Sequence, residues 1–127
     1  MQRFFTKRIP GLRHLTYADR LKSLGLQSLE FRRHCYDLTL CYKILHGYVN
    51  TTTTTTTSLS DVFIVNTNMR TRGHDFRLAP YRFYRDITKY FFSNRVIKLW
   101  NNLPAYVVQA PTIASFKYRL RLLNSRI

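Results

Sequence analysis

Apolar residues recur at three- and four-residue steps along the middle of this chain, which is the spacing of an amphipathic helix. The longest such stretch runs from Leu29 to about Tyr48, and Ser28 before it is a residue type that caps helix N-termini. Its apolar positions are Phe31, Cys35, Leu38, Cys41, Tyr42, Ile44, Leu45 and Tyr48. The pattern predicts one long helix over residues 28–48.

A second amphipathic stretch contains the single tryptophan of the chain. Its apolar residues are Val96, Ile97, Leu99, Trp100 and Leu103. Ser93 is the expected N-cap, and Pro104 disfavours helical geometry at the residue before it. We therefore expect a helix over residues 93–103. Because large aromatic side chains contribute most to burial, Trp100 is expected to anchor the core.

Weaker patterns predict the remaining elements. An opening helix is expected over residues 17–24, with Gly25 after it as the residue that ends helices in a left-handed conformation. Alternating apolar residues predict a small β-hairpin over residues 61–79. A terminal helix over 112–123 would bury Ile113, Phe116, Leu120 and Leu123 and leave Lys117, Arg119, Arg121 and Arg126 outside. Residues 1–14 are interpreted as an entry strand or loop.

These elements together predict a mainly helical α+β fold with one long helix, a short β-hairpin and two C-terminal helices. The length of 127 residues suggests a single domain over residues 1–127. Seven consecutive threonines, Thr51–Thr57, have no apolar alternation that could direct packing. Residues 50–60 are therefore expected to form a low-complexity loop.

The charge balance of the chain is strongly basic. Lys and Arg number 21 against six acidic residues, which gives a net charge of +15. Residues 1–33 carry +6 and residues 70–98 carry +6, whereas residues 34–69 carry −1. Arginine, which pairs two phosphate oxygens at once, outnumbers lysine fifteen to six. The balance favours an anionic partner, with RNA or DNA first and an acidic membrane surface second.

In the block 70–98, cations are interleaved with aromatic rings, a combination that proteins use to hold single-stranded nucleic acid. The predicted binding residues are Arg70, Arg72, Arg82, Arg85, Lys89 and Arg95 for phosphates, with Tyr81 and Tyr84 for base stacking. A second interpretation stays open on the sequence. The aromatic residues Tyr81, Phe83, Tyr84, Phe91 and Phe92 would then pack inward, with the arginines solvated.

The acidic residues are too scattered for catalysis by paired carboxylates. Two-metal phosphoryl transfer needs carboxylates that converge on neighbouring ions, and the closest helical pair here, Glu30 and Asp37, is separated by two turns. Cys35 and Cys41 are six residues apart on the predicted long helix, so their thiols point apart and do not suit zinc. No glycine-rich phosphate loop is present in the sequence. We expect no enzyme activity, no metal and no cofactor.

Two features of the sequence indicate where the protein is expected to act. No stretch approaches the roughly 18 apolar residues that a membrane span requires. Two cysteines without an apolar secretory segment are typical of a reducing compartment. The chain is therefore expected to act inside the cell, in the nucleus or cytoplasm, with no membrane partner.

Five blocks of the sequence, in this order and spacing, resemble the carboxy-terminal segment of reverse transcriptases from LINE-type (non-LTR), jockey-like retrotransposons. The resemblance covers residues 2–123. The blocks are QRFFTKRIPGL, YADRLKSLGLQSLEFRRHCYDLTLCYKILHG, NMRTRGHDFRL, FFSNRVIKLWNNLP and APTIASFKYRL. In that family the segment follows the polymerase domain and is thought to help hold template RNA or target DNA.

The resemblance implies a fragment rather than an active polymerase. The family's catalytic aspartates, on an aromatic-x-Asp-Asp turn, have no counterpart in this sequence, and neither does its endonuclease. The expected partners are RNA or DNA and the rest of a reverse transcriptase. Two hypotheses follow: a non-catalytic nucleic-acid-binding tail, or an inert structural remnant whose apolar face once packed on the polymerase.

Overall fold

Helices dominate the protein. A computed structural model describes residues 1–49, 63–66, 73–80 and 91–125, and this part contains six helices and one two-stranded antiparallel sheet. The elements are α1 (Gln2–Arg8), α2 (Tyr17–Ser23), α3 (Leu29–Leu45), β1 (Ile64–Val65), β2 (Leu78–Ala79), α4 (Phe92–Asn101), α5 (Ala105–Val108) and α6 (Ile113–Ser125). The mainly helical α+β class predicted from the sequence is confirmed.

The chain divides into two compact units, Met1–His34 and Cys35–Ile127. Helix α3 runs through the boundary, so its first residues belong to the first unit and the others to the second. The expectation of a single domain stays a prediction. The threonine run and the predicted loop 50–60 lie outside the described residues.

Helix α1 corrects the sequence interpretation, which assigned residues 1–14 to a strand or loop. The reason lies in tertiary contacts of Gln2, whose partners are distant in the sequence. Its Oε1 accepts hydrogen bonds from the Tyr17 hydroxyl at 2.8 Å and from the Leu29 backbone N–H at 3.2 Å. Its Nε2 donates to the Gln27 carbonyl oxygen at 3.0 Å. These contacts fix α1 within the first unit, and local pattern could not predict them.

The helix ends of the first unit follow their capping residues. Thr16 caps α2 by accepting a hydrogen bond from the Asp19 backbone N–H at 3.3 Å. Gly25 takes a left-handed φ of 62° after α2, and the Leu26 N–H bonds back to the Leu21 carbonyl at 2.8 Å. Ser28 caps α3 through the Phe31 N–H at 3.2 Å. The predicted positions of Gly25 and Ser28 are thus confirmed.

Helix α3 ends at Leu45. It is therefore shorter than predicted, since its expected end lies near Tyr48. Gly47 adopts a φ of 72°, and the Tyr48 N–H bonds to the Lys43 carbonyl at 2.8 Å. This is the same glycine-based ending that closes α2.

The core of the second unit is formed by large side chains of α3, α4 and α6, together with residues of α5, of β2 and of the segment before β1. Trp100 is fully buried, as predicted, and its ring lies 6.0 Å from that of Phe116. Tyr42 stacks on Phe116 at 4.4 Å, and its hydroxyl donates to the Ala110 carbonyl oxygen at 2.5 Å. Other buried members are Leu38, Cys41, Ile44, Phe63, Leu78, Val96, Ile97, Val107, Val108 and Leu120. Most predicted core positions on these helices are therefore confirmed.

The two short strands pair antiparallel, with Ile64 opposite Ala79 and Val65 opposite Leu78. This confirms the antiparallel pairing of the predicted hairpin, although the strands have only two residues each. The C-terminal end of α4 is hydrogen-bonded to two residues that precede β2, Phe76 and His74. The Trp100 indole N–H donates to the Phe76 carbonyl oxygen at 2.8 Å, and His74 Nε2 donates to the Trp100 carbonyl oxygen at 3.1 Å.

Two details near α4 were wrong or missing. Ser93 is not the N-cap, because α4 begins at Phe92, which places Ser93 within the first turn of the helix. Phe91 occupies the cap position, with extended φ and ψ and no side-chain hydrogen bond.

The short helix α5 after Pro104 was not predicted, since four residues give too little periodicity to detect. Helix α6 buries Phe116 and Leu120 with Ile113 and Leu123 half-buried beside them, as expected.

Candidate nucleic-acid interface

Of the eight residues predicted to bind nucleic acid, the structure describes Arg95 alone. The other seven lie outside the described residues: Arg70, Arg72, Tyr81, Arg82, Tyr84, Arg85 and Lys89. Their part in a binding site stays a prediction.

Arg95 forms a two-bonded ion pair with Asp37, which ties α4 to α3. Its Nε lies 2.8 Å from Asp37 Oδ2, and its second contact, from a terminal nitrogen to Oδ1, measures 2.9 Å. The hydrogen bond to Asp37 raises the pKa of Arg95. The Arg95 side chain is still about half exposed, at 51%. The guanidinium nitrogens that could pair with a phosphate therefore pair with the Asp37 carboxylate instead. The rest of the Arg95 side chain faces solvent.

The aromatic residues at positions 91 and 92 divide between core and surface. Phe92 is half-buried and contacts Phe63 edge-on at 5.9 Å, so it packs inward. Phe91, one residue earlier, is mostly exposed. The inward interpretation is thus right for Phe92 and wrong for Phe91. Tyr81, Phe83 and Tyr84 lie outside the described residues.

The first unit has a large surplus of exposed cations. Seven of its basic side chains are exposed: Arg3, Lys7, Arg8, Arg13, Lys22, Arg32 and Arg33. Within Met1–His34, all of which the structure describes, none of them lies within 4.0 Å of a carboxylate oxygen. Asp19 instead accepts a hydrogen bond from the Thr16 hydroxyl. The positive charge of this unit is therefore open to an anionic partner.

Arg20 differs from these cations, because it is buried, with 5% of its surface exposed. Its Nε donates to the Thr6 hydroxyl at 3.2 Å, and a terminal nitrogen donates to the Leu15 carbonyl oxygen at 2.5 Å. Its guanidinium also lies over the Tyr17 ring, 5.9 Å from the centroid. Arg20 thus joins α2 to α1 and to the connection between them.

That connection and α1 enclose a groove in the first unit. Its lining residues are Phe4, Lys7, Arg8, Ile9, Pro10, Gly11 and Arg13. The chain turns here with a bond from the Leu12 N–H to the Ile9 carbonyl oxygen at 3.2 Å, and Gly11 takes a φ of 81°. The Arg8 guanidinium lies over the Phe4 ring at 4.2 Å, and Phe5 meets Phe4 edge-on at 6.4 Å. Cations and an aromatic ring therefore line one concave surface.

Sequence reasoning did not single out these groove residues. Part of the signal was present, since residues 1–18 contain Arg3, Lys7, Arg8 and Arg13 and no acid. The groove itself depends on α1 and on the turn at Gly11. The sequence pattern of residues 1–14 predicts a strand or loop, and this prediction does not bring their cations together.

Both cysteines lie on α3, where burial affects the ionisation of their thiols. Burial raises the pKa of the Cys41 thiol far above its ordinary value, so it stays protonated at neutral pH. Burial also raises the pKa of Cys35, although Arg121 opposes the effect. Among the described residues, no three His, Cys, Asp or Glu side chains form a group that could hold a metal ion. Nor does any helix in this part have the length and apolar character to cross a membrane.

Comparisons with protein-family models, with curated proteins and with solved structures find no match for this chain. The resemblance to the reverse-transcriptase segment therefore remains an expectation based on the sequence blocks.

Proposed function

We propose that this chain is a non-catalytic nucleic-acid-binding module that holds RNA or DNA through its basic surface. The observation that carries the proposal is the set of seven exposed cations of the first unit, none of which is paired with a carboxylate there. Such a surface repels itself, and a polyanion that neutralises it releases condensed counterions in exchange. Binding should therefore be favourable and sensitive to salt.

The resemblance to a reverse-transcriptase tail supports the same proposal. In this interpretation the chain positions a template or target strand for a polymerase domain. The scarcity of acidic residues agrees with a binding role, because phosphoryl transfer on two metal ions would require converging carboxylates. The rest of a reverse transcriptase is then a second partner.

Fluorescence anisotropy with labelled single-stranded RNA and DNA of about 20 nucleotides tests the proposal, since known single-strand sites span roughly 4–16 nucleotides. We expect saturable binding at low salt. A primer-extension assay with magnesium on the same preparation should give no product. Absence of binding to both strands at low salt would overturn the proposed function, and template-dependent extension would overturn its non-catalytic character.

The second candidate, an inert structural remnant, is favoured by apolar side chains that the second unit exposes. Helix α3 exposes Tyr36 and Leu40, and α6 exposes Tyr118 and Leu122, each pair four residues apart on one helix face. A remnant that has lost its partner should melt without cooperativity or aggregate. Circular dichroism during thermal unfolding, together with sedimentation, separates the candidates, because a binding module should melt cooperatively as a dispersed species.

A further inference from the structure

We propose that the groove between α1 and the turn at Gly11 is a binding site for single-stranded nucleic acid. In this site Lys7, Arg8 and Arg13 would contact phosphates, and Phe4 would stack on a base. This inference rests on the proposed function and deepens it, because it names the surface and the strand form. It also assigns a role to residues 1–14, none of which is among the binding residues predicted from the sequence.

The charge of the groove fits a phosphate backbone. Three of its lining residues are cationic and exposed, and no acidic residue lines it. The nearest acidic residue in sequence, Asp19, is six positions beyond Arg13 and is hydrogen-bonded to Thr16. Arg8 and Arg13 offer planar forks that can each pair two phosphate oxygens. A strand that follows the groove would therefore meet several cations in succession.

The aromatic part of the groove indicates a single strand. Phe4 keeps 58% of its surface exposed even with the Arg8 guanidinium over its ring. Stacking on such a ring requires an unpaired base, whose face is available only when the strand is not in a duplex. The Phe4 ring also holds the Arg8 guanidinium in place through a cation–π contact. Arg8 would then lie near the phosphate of the nucleotide that stacks on Phe4.

Hydrogen bonds made by residues outside the groove lining hold α1 in place. Gln2 bonds α1 to Tyr17, Gln27 and Leu29, and the buried Arg20 bonds to Thr6 of α1. None of these residues lines the groove. The exposed cations can therefore be replaced without removing the contacts that position α1.

The arrangement suits a strand better than a lipid surface. Helices that lie in a membrane interface separate an apolar face from a cationic face. Here Phe4, Ile9 and Pro10 share one concave lining with the cations, and α1 has only seven residues. A flat bilayer would not reach both groups at once.

The first test compares two triple variants with the same change in net charge. The groove variant carries Lys7→Gln, Arg8→Gln and Arg13→Gln. The control variant carries Lys22→Gln, Arg32→Gln and Arg33→Gln, three exposed cations of the same unit outside the groove. Circular dichroism should show unchanged helix content in both.

With labelled oligo(dT), the groove variant should bind at least about tenfold more weakly than the control variant. Its log–log salt slope should fall by about 2, since each phosphate contact on a single strand contributes roughly 0.7. Equal loss in the two variants would overturn the groove proposal while the proposed function stands. Failure of the unaltered chain to bind would overturn both.

The second test isolates the base. Phe4→Leu removes the ring but keeps apolar bulk, and Phe5→Leu is the matched control, because Phe5 is similarly exposed outside the groove. Phe4→Leu should weaken oligo(dT) binding by about fivefold or more. It should not affect an abasic oligomer of the same length, because that probe has no base to stack.

The same proteins are then tested against a duplex and against phosphatidylserine vesicles. Oligo(dT) should bind the unaltered chain more tightly than the duplex does. Equal effects of Phe4→Leu and Phe5→Leu, or tighter binding of the duplex, would contradict a stacking site. If the groove variant loses binding to the vesicles but keeps its binding to the oligonucleotide, the groove would be assigned to a membrane surface instead.

Discussion

The side-chain amide of Asn101 pairs with both backbone groups of Leu78. Its Oδ1 accepts from the Leu78 N–H at 2.9 Å, and its Nδ2 donates to the Leu78 carbonyl oxygen at 2.8 Å. These two groups therefore bond to Asn101 rather than to the partner strand. Asn101 takes the place that a third strand would occupy, and it joins the end of α4 to β2.

Asn101→Ala should destabilise the fold because it leaves two partly buried backbone groups without partners. We expect the free energy of unfolding to fall by about 2 kcal/mol. Asn102→Ala is the matched control, since Asn102 is exposed at the next position, and its effect should stay within about 0.5 kcal/mol. Urea unfolding measures both. Equal loss in the two variants would show that the Leu78 contacts contribute nothing specific.

Trp100 provides a probe of the core, because it is the single tryptophan and is fully buried. Its fluorescence emission should be blue-shifted in the native protein and resistant to quenching by iodide. Both properties should disappear in one transition on unfolding. Emission typical of a solvated indole under native conditions would contradict the described core.

The pairing of Arg95 with Asp37 predicts that Asp37→Asn strengthens nucleic-acid binding if Arg95 contacts phosphate. Replacement of the carboxylate frees the guanidinium for another anion, and affinity should rise about threefold. Asp75→Asn is the charge-matched control at an exposed acid and should have a smaller effect. Because the pair is partly solvated, the free energy of unfolding should change by less than about 1 kcal/mol. Equal gains in affinity would exclude Arg95 from the site.

Tyr42 predicts a loss of stability in alkali. Burial raises the pKa of Tyr42 above its ordinary value of 10.0, and Tyr48 adds to the effect while Arg119 opposes it. The unfolded chain then loses its phenolic proton before the folded chain does. The free energy of unfolding should therefore decrease as pH rises above about 10.

Tyr42→Phe tests this prediction in urea unfolding at a series of pH values. The variant should be less stable at neutral pH by about 1 kcal/mol, because it lacks the hydrogen bond to Ala110. Above pH 10 its stability should fall less steeply than that of the unaltered chain. The fall that remains would come from Cys41 and Cys35, whose pKa values burial also raises. Parallel pH curves would contradict the assignment.

Local sequence signals predicted most of the helices and their ends. The apolar stripes of α3, α4 and α6 face the core as expected, and Ser28 and Gly25 act where their chemistry favours them. Helix α1 could not be predicted in this way, because Gln2 is held by residues 15 to 27 positions away. The bonds of Asn101 to Leu78 join positions 23 residues apart, so they depend on the tertiary fold and have no local signal.

The candidate site was predictable in its charge but not in its shape. The basic block 1–33 was visible in the sequence, whereas the groove requires α1 and the turn at Gly11 to form together. For the block 70–98, the structure adds that Arg95 is paired and that Phe92 packs inward. Neither fact follows from residue type or spacing.

The central claim is that this chain holds a polyanion through its exposed cations. The most direct measurement is the affinity of the unaltered protein for single-stranded RNA across a salt series. We predict saturable binding that weakens steeply, with a log–log slope of several units, as expected when several phosphates are neutralised. A flat salt response, or no binding at low salt, would contradict the claim.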